Sequence, residues 1–383
     1  MKKNKIVIAS DSFKGSLSSF EAGSAIANGV KKRLPYAETV VFPTGDGGEG
    51  TAYAISSAIG YKKCCFTVND TNSTLVDAEY YVSADGKCAV FDMASCSGLS
   101  YAVTHGLDIM HASTEGVGQI ISHLISDGVS DITVCLGGSG TSDGGVGALS
   151  VLGARFFDKN GAVISERACP TMLGKIASAD LSPASLLLKN VKLTLLYDSA
   201  VPLLGERGAV MMYSRQKGAA DADLVSLEES MEHYSHAIAS HSDITKQGAG
   251  AAGGLGFALS LVGGKLTPGA AYVLETIGFN NALSEAVLVI TGEGKTDVQT
   301  ATGKLPSIVA HEAAKLSIPV ICLCGVNESC DELYKCGFTS VIQIGNRPMS
   351  TKESINDTTR LLEKTAYDIA GIAEFLKQKT DAT

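Results

Sequence analysis

The sequence predicts an α/β fold in two domains: a doubly wound parallel sheet built from both ends of the chain (1–61 and 286–383), and a mixed α/β domain (62–285) inserted between them. Three observations carry this. At 383 residues the chain exceeds what one ordinary core accommodates. Strand-like runs alternate with amphipathic helices up to Tyr61 and again from Ala286, whereas three strand-like runs follow one another directly after Tyr61. Finally, short β-branched runs (KIVIAS, ITVCLGG, AVLVIT) lead straight into glycine-rich loops, the junction found at the carboxyl ends of parallel strands.

Residues 5–9 read as the first strand. The next helix opens on a capping box, Ser18 with Glu21 three residues on, and carries Phe20, Ala25, Ile26, Val30 and Leu34 as its apolar stripe. A strand at 39–42 and a helix from about 50 to 59 complete this section. Runs 62–68, 74–83 and 87–93 are strand-like with no helix between them. A helix at 117–126 stopped by Gly128, a strand at 131–136, a helix running through Val151 and a strand at 191–197 follow. The helical stretch 221–240 is long enough to bridge the domains. From Ala286 the alternation resumes: strand 286–291, a helix near 307–316, strands 319–324 and 340–344, and a last helix from Lys352.

Composition narrows the function. A net charge of −9 and a pI near 5.3 argue against nucleic acid or an anionic membrane as partner. Lys2, Lys3 and Lys5 look like the start of a signal peptide, but only residues 6–9 are apolar before Ser10 and Asp11. No apolar run approaches the ~20 residues a membrane span needs. The ten cysteines show neither a CxxC pair nor metal-ligand spacing, which suits a reducing compartment. A cytoplasmic protein acting on a small molecule is the expectation.

Four loops set glycines around carboxylates: DSFKGS (11–16), GDGGEGT (45–51), GGSGTSDGG (137–145) and TGEGKTDVQT (291–300). Glycine lets backbone N–H groups close around an anion. The neighbouring acids would repel a bare phosphate, so the pattern makes sense with Mg²⁺ between carboxylate and phosphate. Phosphoryl transfer is the chemistry this implies. Loops 11–16, 45–51 and 291–300 all fall at the strand ends of one domain, which strengthens the signal.

Duller readings stand beside these. Gly45-x-Gly47-x-x-Gly50 formally matches a dinucleotide fingerprint with Asp70 downstream, yet Asp46 and Glu49 sit where pyrophosphate would come close. Gly248-x-Gly250-x-x-Gly253 lacks a preceding strand and fits either close helix packing or a backbone wall near a ligand. No Walker A motif exists, since neither Gly294-Lys295-Thr296 nor Gly303-Lys304 has a glycine five residues before. In GGSGTSDGG, Ser139, Thr141, Ser142 and Asp143 occupy a strand-to-helix turn that either binds an anion or merely caps the helix. Lys14, Lys217 and Lys304 each adjoin glycine, as ligand contacts or as solvated turn residues. Asp198, ending the run VKLTLLY, is either a loop cap or a general base.

Together the segments resemble the bacterial type I glycerate kinase family. DSFKGSLSS, PTGDGGEGT, GGSGTSDGGVGALSVLGARFFD, PLLGERGA, QKGA, QGAGAAGGLGFAL, LVITGEGKTDVQTATGK and RPMS run in that family's order over almost the whole chain. The resemblance implies phosphorylation of D-glycerate by ATP with Mg²⁺, usually at the 2-hydroxyl. It also implies a flavodoxin-like domain with a second domain inserted. On it, the acceptor is expected on Asp11, Ser12, Lys14, Lys217, Ser139 and Thr141. The nucleotide is expected on Gly137, Gly138, Gly140, Asp143, Gly292, Gly294, Gln299 and Lys304, and Mg²⁺ on Asp46, Glu49, Glu293 and Asp297. Catalysis is expected from Lys14 with Asp198, or failing it Asp46, as general base. D-glycerate is then the partner, and a homodimer is allowed.

Four positions depart from the family's pattern: Val201, Arg215, Glu115 and Ser142. Two rivals follow from the same residues. One is an NAD-dependent hydroxy-acid dehydrogenase built on GDGGEG; the other is a non-catalytic sugar-acid-binding protein.

Overall fold

The computed structural model describes residues 5–298, 300–328 and 331–380. The chain forms two compact units. One comprises residues up to Asp46, Ser57–Ile59 and Ala270 onward; the other comprises Gly47–Ser56 and Gly60–Gly269. In chain order the strands begin with β1 (Lys5–Ile8), β2 (Glu38–Val41), β3 (Lys62–Asn69), β4 (Leu75–Val82), β5 (Cys88–Asp92) and β6 (Asp131–Cys135). Next come β7 (Arg155–Phe157), β8 (Ser178–Asp180), β9 (Lys192–Tyr197), β10 (Lys265–Pro268), β11 (Ala286–Thr296), β12 (Val320–Asn327) and β13 (Ser340–Gln343).

The first unit is organised on a five-stranded sheet in the order β13-β12-β11-β1-β2, parallel at every pairing. Strands of such a sheet are covered on both faces and so read as continuous apolar runs; KIVI is buried at Ile6, Val7 and Ile8. The helix Ser19–Arg33 starts where its sequence says it should. Ser18 N–H donates to Glu21 Oε2 at 2.8 Å, and Glu21 N–H donates to Ser18 Oγ at 3.3 Å. Its buried stripe is Ala22, Ala25, Ile26 and Val30, which pack with Leu361, Leu362, Ala366 and Ile369 of helix Thr358–Thr380. Phe20, expected in that stripe, is 48% exposed.

One strand runs further than the sequence suggests. β11 continues through the segment TGEGKT to Thr296, pairing Gly292 with Leu323 and Glu293 with Cys324 on β12. The glycines there lower strand propensity, but β12 is long enough to supply a partner backbone, and the ladder overrides the propensity. Gly292, Glu293 and Gly294 are therefore strand residues, not loop residues.

The second unit holds a six-stranded sheet in the order β10-β9-β6-β5-β4-β3. β10, β9, β6 and β5 are mutually parallel, while β4 and β3 are added antiparallel. The three consecutive strands expected after Tyr61 are β3, β4 and β5. Two short strands, β7 and β8, pair antiparallel in a separate ribbon, and β10 forms an edge of the main sheet. These three were not expected, since none offers more than a few residues of pattern. Helix Asp221–Ile238 buries Leu224, Leu227, Met231 and Tyr234 in this unit's own core. Because β5, β6, β9 and β10 are parallel, their carboxyl ends share one edge of the sheet, where the loops after Asp92, Cys135 and Tyr197 begin.

Candidate active site

In the first unit β1 and β11 are neighbours, so their carboxyl ends lie side by side. Asp11 N–H donates to the carbonyl of Gly292 at 2.8 Å, and Ser10 Oγ donates to the same carbonyl at 3.2 Å. Thr44 Oγ1 donates to the carbonyl of Ser10, drawing in the stretch that leads to Asp46. Asp11 is only 8% exposed, and its Oδ1 accepts from the Ser12 N–H at 2.7 Å. Burial, then the negative charges of Asp46 and Glu293, push its pKa up to about 7 against the pull of Ser12 N–H and Lys14.

Glu293 is 5% exposed and accepts from Thr300 Oγ1 at 2.6 Å. Burial raises its pKa; the Thr300 bond, Lys304 and Lys14 oppose that rise, and the charge of Asp297 adds to it. Lys304 sits at the start of helix Leu305–Ala314, and Lys14 is exposed. Asp11, Lys14, Asp46, Glu293, Asp297 and Lys304 thus share one electrostatic neighbourhood. Gln299 lies outside the described residues. Among the described residues no three His, Cys, Asp or Glu side chains converge as a protein-only metal cage. Carboxylates driven toward neutrality by burial and mutual repulsion are the donors a divalent cation would relieve.

In the second unit the loop after β6 is held from several sides. Gly137 N–H donates to the carbonyl of Gly47 at 3.0 Å, and a Cβ on Gly137 would stand 2.4 Å from the Cα of Gly48. Gly47 has φ +101, and a Cβ there would meet the carbonyl carbon of Tyr197 at 2.9 Å. The start of GDGGEGT is thereby wedged between the ends of β6 and β9. Gly138 is exposed, and Gly140 N–H donates to the carbonyl of Ser97 at 2.8 Å. Asp198 follows β9 directly, and Glu49 follows Gly48; both are exposed. QGAGAAGGLG is a backbone wall behind the loop: Gly144 N–H donates to the carbonyl of Gly253 at 3.0 Å.

Asp143 is fully buried, and its carboxylate faces inward. It accepts from Thr114 N–H and Thr114 Oγ1, both at 2.8 Å, from Gly145 N–H at 3.0 Å and from Gly147 N–H at 3.2 Å. Burial raises its pKa and these four donors oppose the rise. The geometry makes Asp143 an anchor of the loop, not a contact to nucleotide as the sequence reading has it. Ser142 is likewise internal, 3.0 Å from Ser214 Oγ. Lys217 is 2% exposed; its Nζ donates to Ser139 Oγ at 2.8 Å and to the carbonyl of Thr141 at 2.7 Å.

Two residues of this site escape sequence reasoning. Asp92, at the end of β5, accepts from Gly50 N–H at 2.8 Å and Ala52 N–H at 2.9 Å, capping helix Thr51–Ile59 from another element. Burial pushes its carboxyl to about 6, with these two donors opposing. It ends an apolar run, CAVFD, just as Asp198 ends VKLTLLY, and that was its signal. Thr114 carried none. Asp70, the acid a dinucleotide fingerprint needs, is fully buried in the β3–β4 turn. It accepts there from Asn72 N–H and Thr74 N–H and pairs with His105.

The sequence model of the glycerate kinase family matches residues 6–374. The chain belongs to the glycerate kinase family. A glycerate kinase of Bacillus cereus is 37% identical to it over 98% of this chain and 99% of that one. The glycerate 2-kinase of Escherichia coli K12 is 37% identical over 84% of this chain and 85% of its own length. A crystal structure from Salmonella typhimurium LT2 assigned as glycerate kinase 2 superposes with a TM-score of 0.82 at 32% identity, covering 98% of this chain and all of that one.

The positions where this glycerate kinase sequence departs from the family pattern all take structural partners. Val201 is buried, and its carbonyl accepts from Gly250 N–H at 3.0 Å. Arg215 pairs with Asp221 at 3.1 Å on the surface, and Glu115 lies 3.9 Å from Arg167. No helix among the described residues is long and apolar enough to cross a membrane.

Proposed function

We propose that the protein transfers the γ-phosphoryl group of ATP to the 2-hydroxyl of D-glycerate, giving 2-phosphoglycerate and ADP, with Mg²⁺ required. The observation that carries the chemistry is the acid–lysine set of the first unit. Asp11 and Glu293 are buried, the charges of Asp46 and Glu293 both bear on Asp11, Lys14 acts on both buried acids and Lys304 on Glu293. The substrate follows from family membership.

In this reading one or two of Asp46, Glu293 and Asp297 would hold Mg²⁺. The bound ion would supply charge neutralisation on the phosphate oxygens. Lys14 and Lys304 would act on those oxygens too, since phosphoryl transfer depends mainly on positioning and charge. The acceptor hydroxyl oxygen bonds to the γ-phosphorus as the bond to the β-phosphate bridging oxygen breaks. The hydroxyl proton passes to a general base, for which Asp198, an exposed carboxylate directly after β9, is the first candidate and Asp46 the second. The turn placement of Asp70 gives a dehydrogenase reading no support.

A coupled ADP assay with ATP and D-glycerate, followed by phosphorus NMR of the product, tests this. Turnover that ceases in excess EDTA and returns with Mg²⁺, yielding 2-phosphoglycerate, is expected. No turnover on any short hydroxy acid would overturn the reading.

A further inference from the structure

Lys217 ends the short 3₁₀ turn Arg215–Lys217 and is 2% exposed. A buried ammonium costs several kcal/mol of desolvation unless something charged or strongly polar answers it. Here the hydrogen-bonded acceptors are neutral: the Ser139 hydroxyl at 2.8 Å and the Thr141 carbonyl at 2.7 Å. Asp143 attracts it through space, its own oxygens accepting from Thr114, Gly145 and Gly147.

What the ammonium does for Ser139 is specific. A serine oxygen that accepts from Lys217 still has an O–H to donate, and Ser139 is only half-buried. Two residues on, Thr141 Oγ1 is buried without a hydrogen-bond partner. An unpaired buried hydroxyl is costly, and an incoming acceptor atom would satisfy it. The loop therefore presents two hydroxyls with a cation behind them.

We infer that Lys217 is a positioning residue: it fixes and polarises Ser139 so that the Ser139 and Thr141 hydroxyls bind an oxyanion of the substrates. The inference rests on the kinase reading for the class of oxyanion, a carboxylate of the acceptor or a phosphate of the nucleotide. It goes beyond direct contact by lysine, because the ammonium acts through Ser139.

The test is equilibrium binding of D-glycerate and of ATP, each measured separately, to the full-length wild type, Lys217→Met, Ser139→Ala and the double variant. Charge-assisted hydrogen bonds are worth enough that each single variant should lose about tenfold or more in affinity for the same one of the two substrates. Loss for D-glycerate identifies the carboxylate; loss for ATP identifies the phosphate. The double variant should be no weaker than Lys217→Met, because the two residues act in series.

A pH series separates this from a structural role. Burial holds the Lys217 pKa near 7, with Asp143 opposing. The packed helices Leu99–Thr104 and Ala209–Tyr213 contribute Tyr101 and Tyr213, and Arg215 is engaged with Asp221. Binding should weaken as pH rises through about 7 in the wild type, and Lys217→Met should lack that component, any contribution of Asp11 being common to both proteins. If Lys217→Met does not fold, Ser139→Ala, which removes one half-buried oxygen, decides the matter. Unchanged affinities in Ser139→Ala, or a Lys217→Met protein that loses only melting temperature, would overturn the inference. Failure of the wild type to turn over D-glycerate would strike the kinase reading instead, and the binding series would still stand.

Discussion

Asp11 and Lys217 are both displaced toward neutrality, in opposite directions and for one reason: each is buried without a full counter-charge. Asp11 is pushed up to about 7, so it holds its proton below that pH and loses it above. Asp11 lies close enough to the proposed ligands Asp46 and Glu293 to feel their charge, so its ionisation adds negative charge beside the cation. Apparent Mg²⁺ affinity should therefore rise with pH through about 7, and Asp11→Asn should flatten that dependence, measured as activity against Mg²⁺ at fixed pH values. For Lys217 the folded value, about 7, lies below the ordinary 10.5. Between these values the unfolded chain binds more protons, so stability gains from rising pH across that window and loses as pH falls toward 7. Melting temperature followed from neutral to alkaline pH should carry this slope, and Lys217→Met should remove it. Asp198 is exposed directly after β9, and asparagine keeps its shape while removing the charge. General-base assistance is worth ~10²–10⁴ in rate, so Asp198→Asn should lower kcat by that range with melting temperature kept. Near-native kcat in a folded variant would move the assignment to Asp46.

The loop Gly137–Gly145 shows how elements hold a site. Asp143 joins the start of helix Glu115–Ser126, through Thr114, to the start of helix Val146–Val151, through Gly145 and Gly147. Removing a buried charged acceptor leaves several donors unpaired. Asp143→Ala should cost roughly 1.5–3 kcal/mol or more, read from urea unfolding, with activity lost in proportion to loop order. A variant as stable as wild type would show that the carboxylate is no anchor. At this scale the legible features were local ones. The box Ser18–Glu21 needs only neighbours three residues apart, and the motif is visible in the chain. Asp92 capping helix Thr51–Ile59 could not be read this way, because donor and acceptor are forty residues apart and meet only through the sheet. Nor could the extension of β11, which depends on how far β12 runs beside it.

Across the whole molecule, the α/β class was legible because parallel strands buried on both faces leave runs such as KIVI, ITVC and AVLVI that little else produces. The mixed sheet of the second unit was legible in part: β3 to β5 alternate over enough residues, whereas β7, β8 and β10 are three or four residues long. The candidate site was legible as loops and acids, but which acids face a ligand was not. Asp143 and Asp198 both lie in loops that follow parallel strands, β6 and β9, but Asp143 is fully buried and Asp198 is exposed. Sequence spacing reports what lies at a strand end; the direction a side chain takes from there is set by packing against residues far along the chain.

The strand order β13-β12-β11-β1-β2 has a consequence for biosynthesis. β1 lies between β2 and β11, so as the chain leaves the ribosome its inner edge waits, unpaired, for a partner translated some 280 residues later. At roughly 5–20 residues per second that wait lasts tens of seconds. All strands of the six-stranded sheet emerge in the meantime, and that sheet needs nothing synthesised after Pro268. Chains ending just before Ala286 and tethered to the ribosome by a linker long enough to clear its exit tunnel should therefore resist protease through residues 60–269 while β1 and β2 remain cleavable. Until β11 is made, the part of the chain bearing Asp11 and Asp46 has only β1 and β2 to pair with each other.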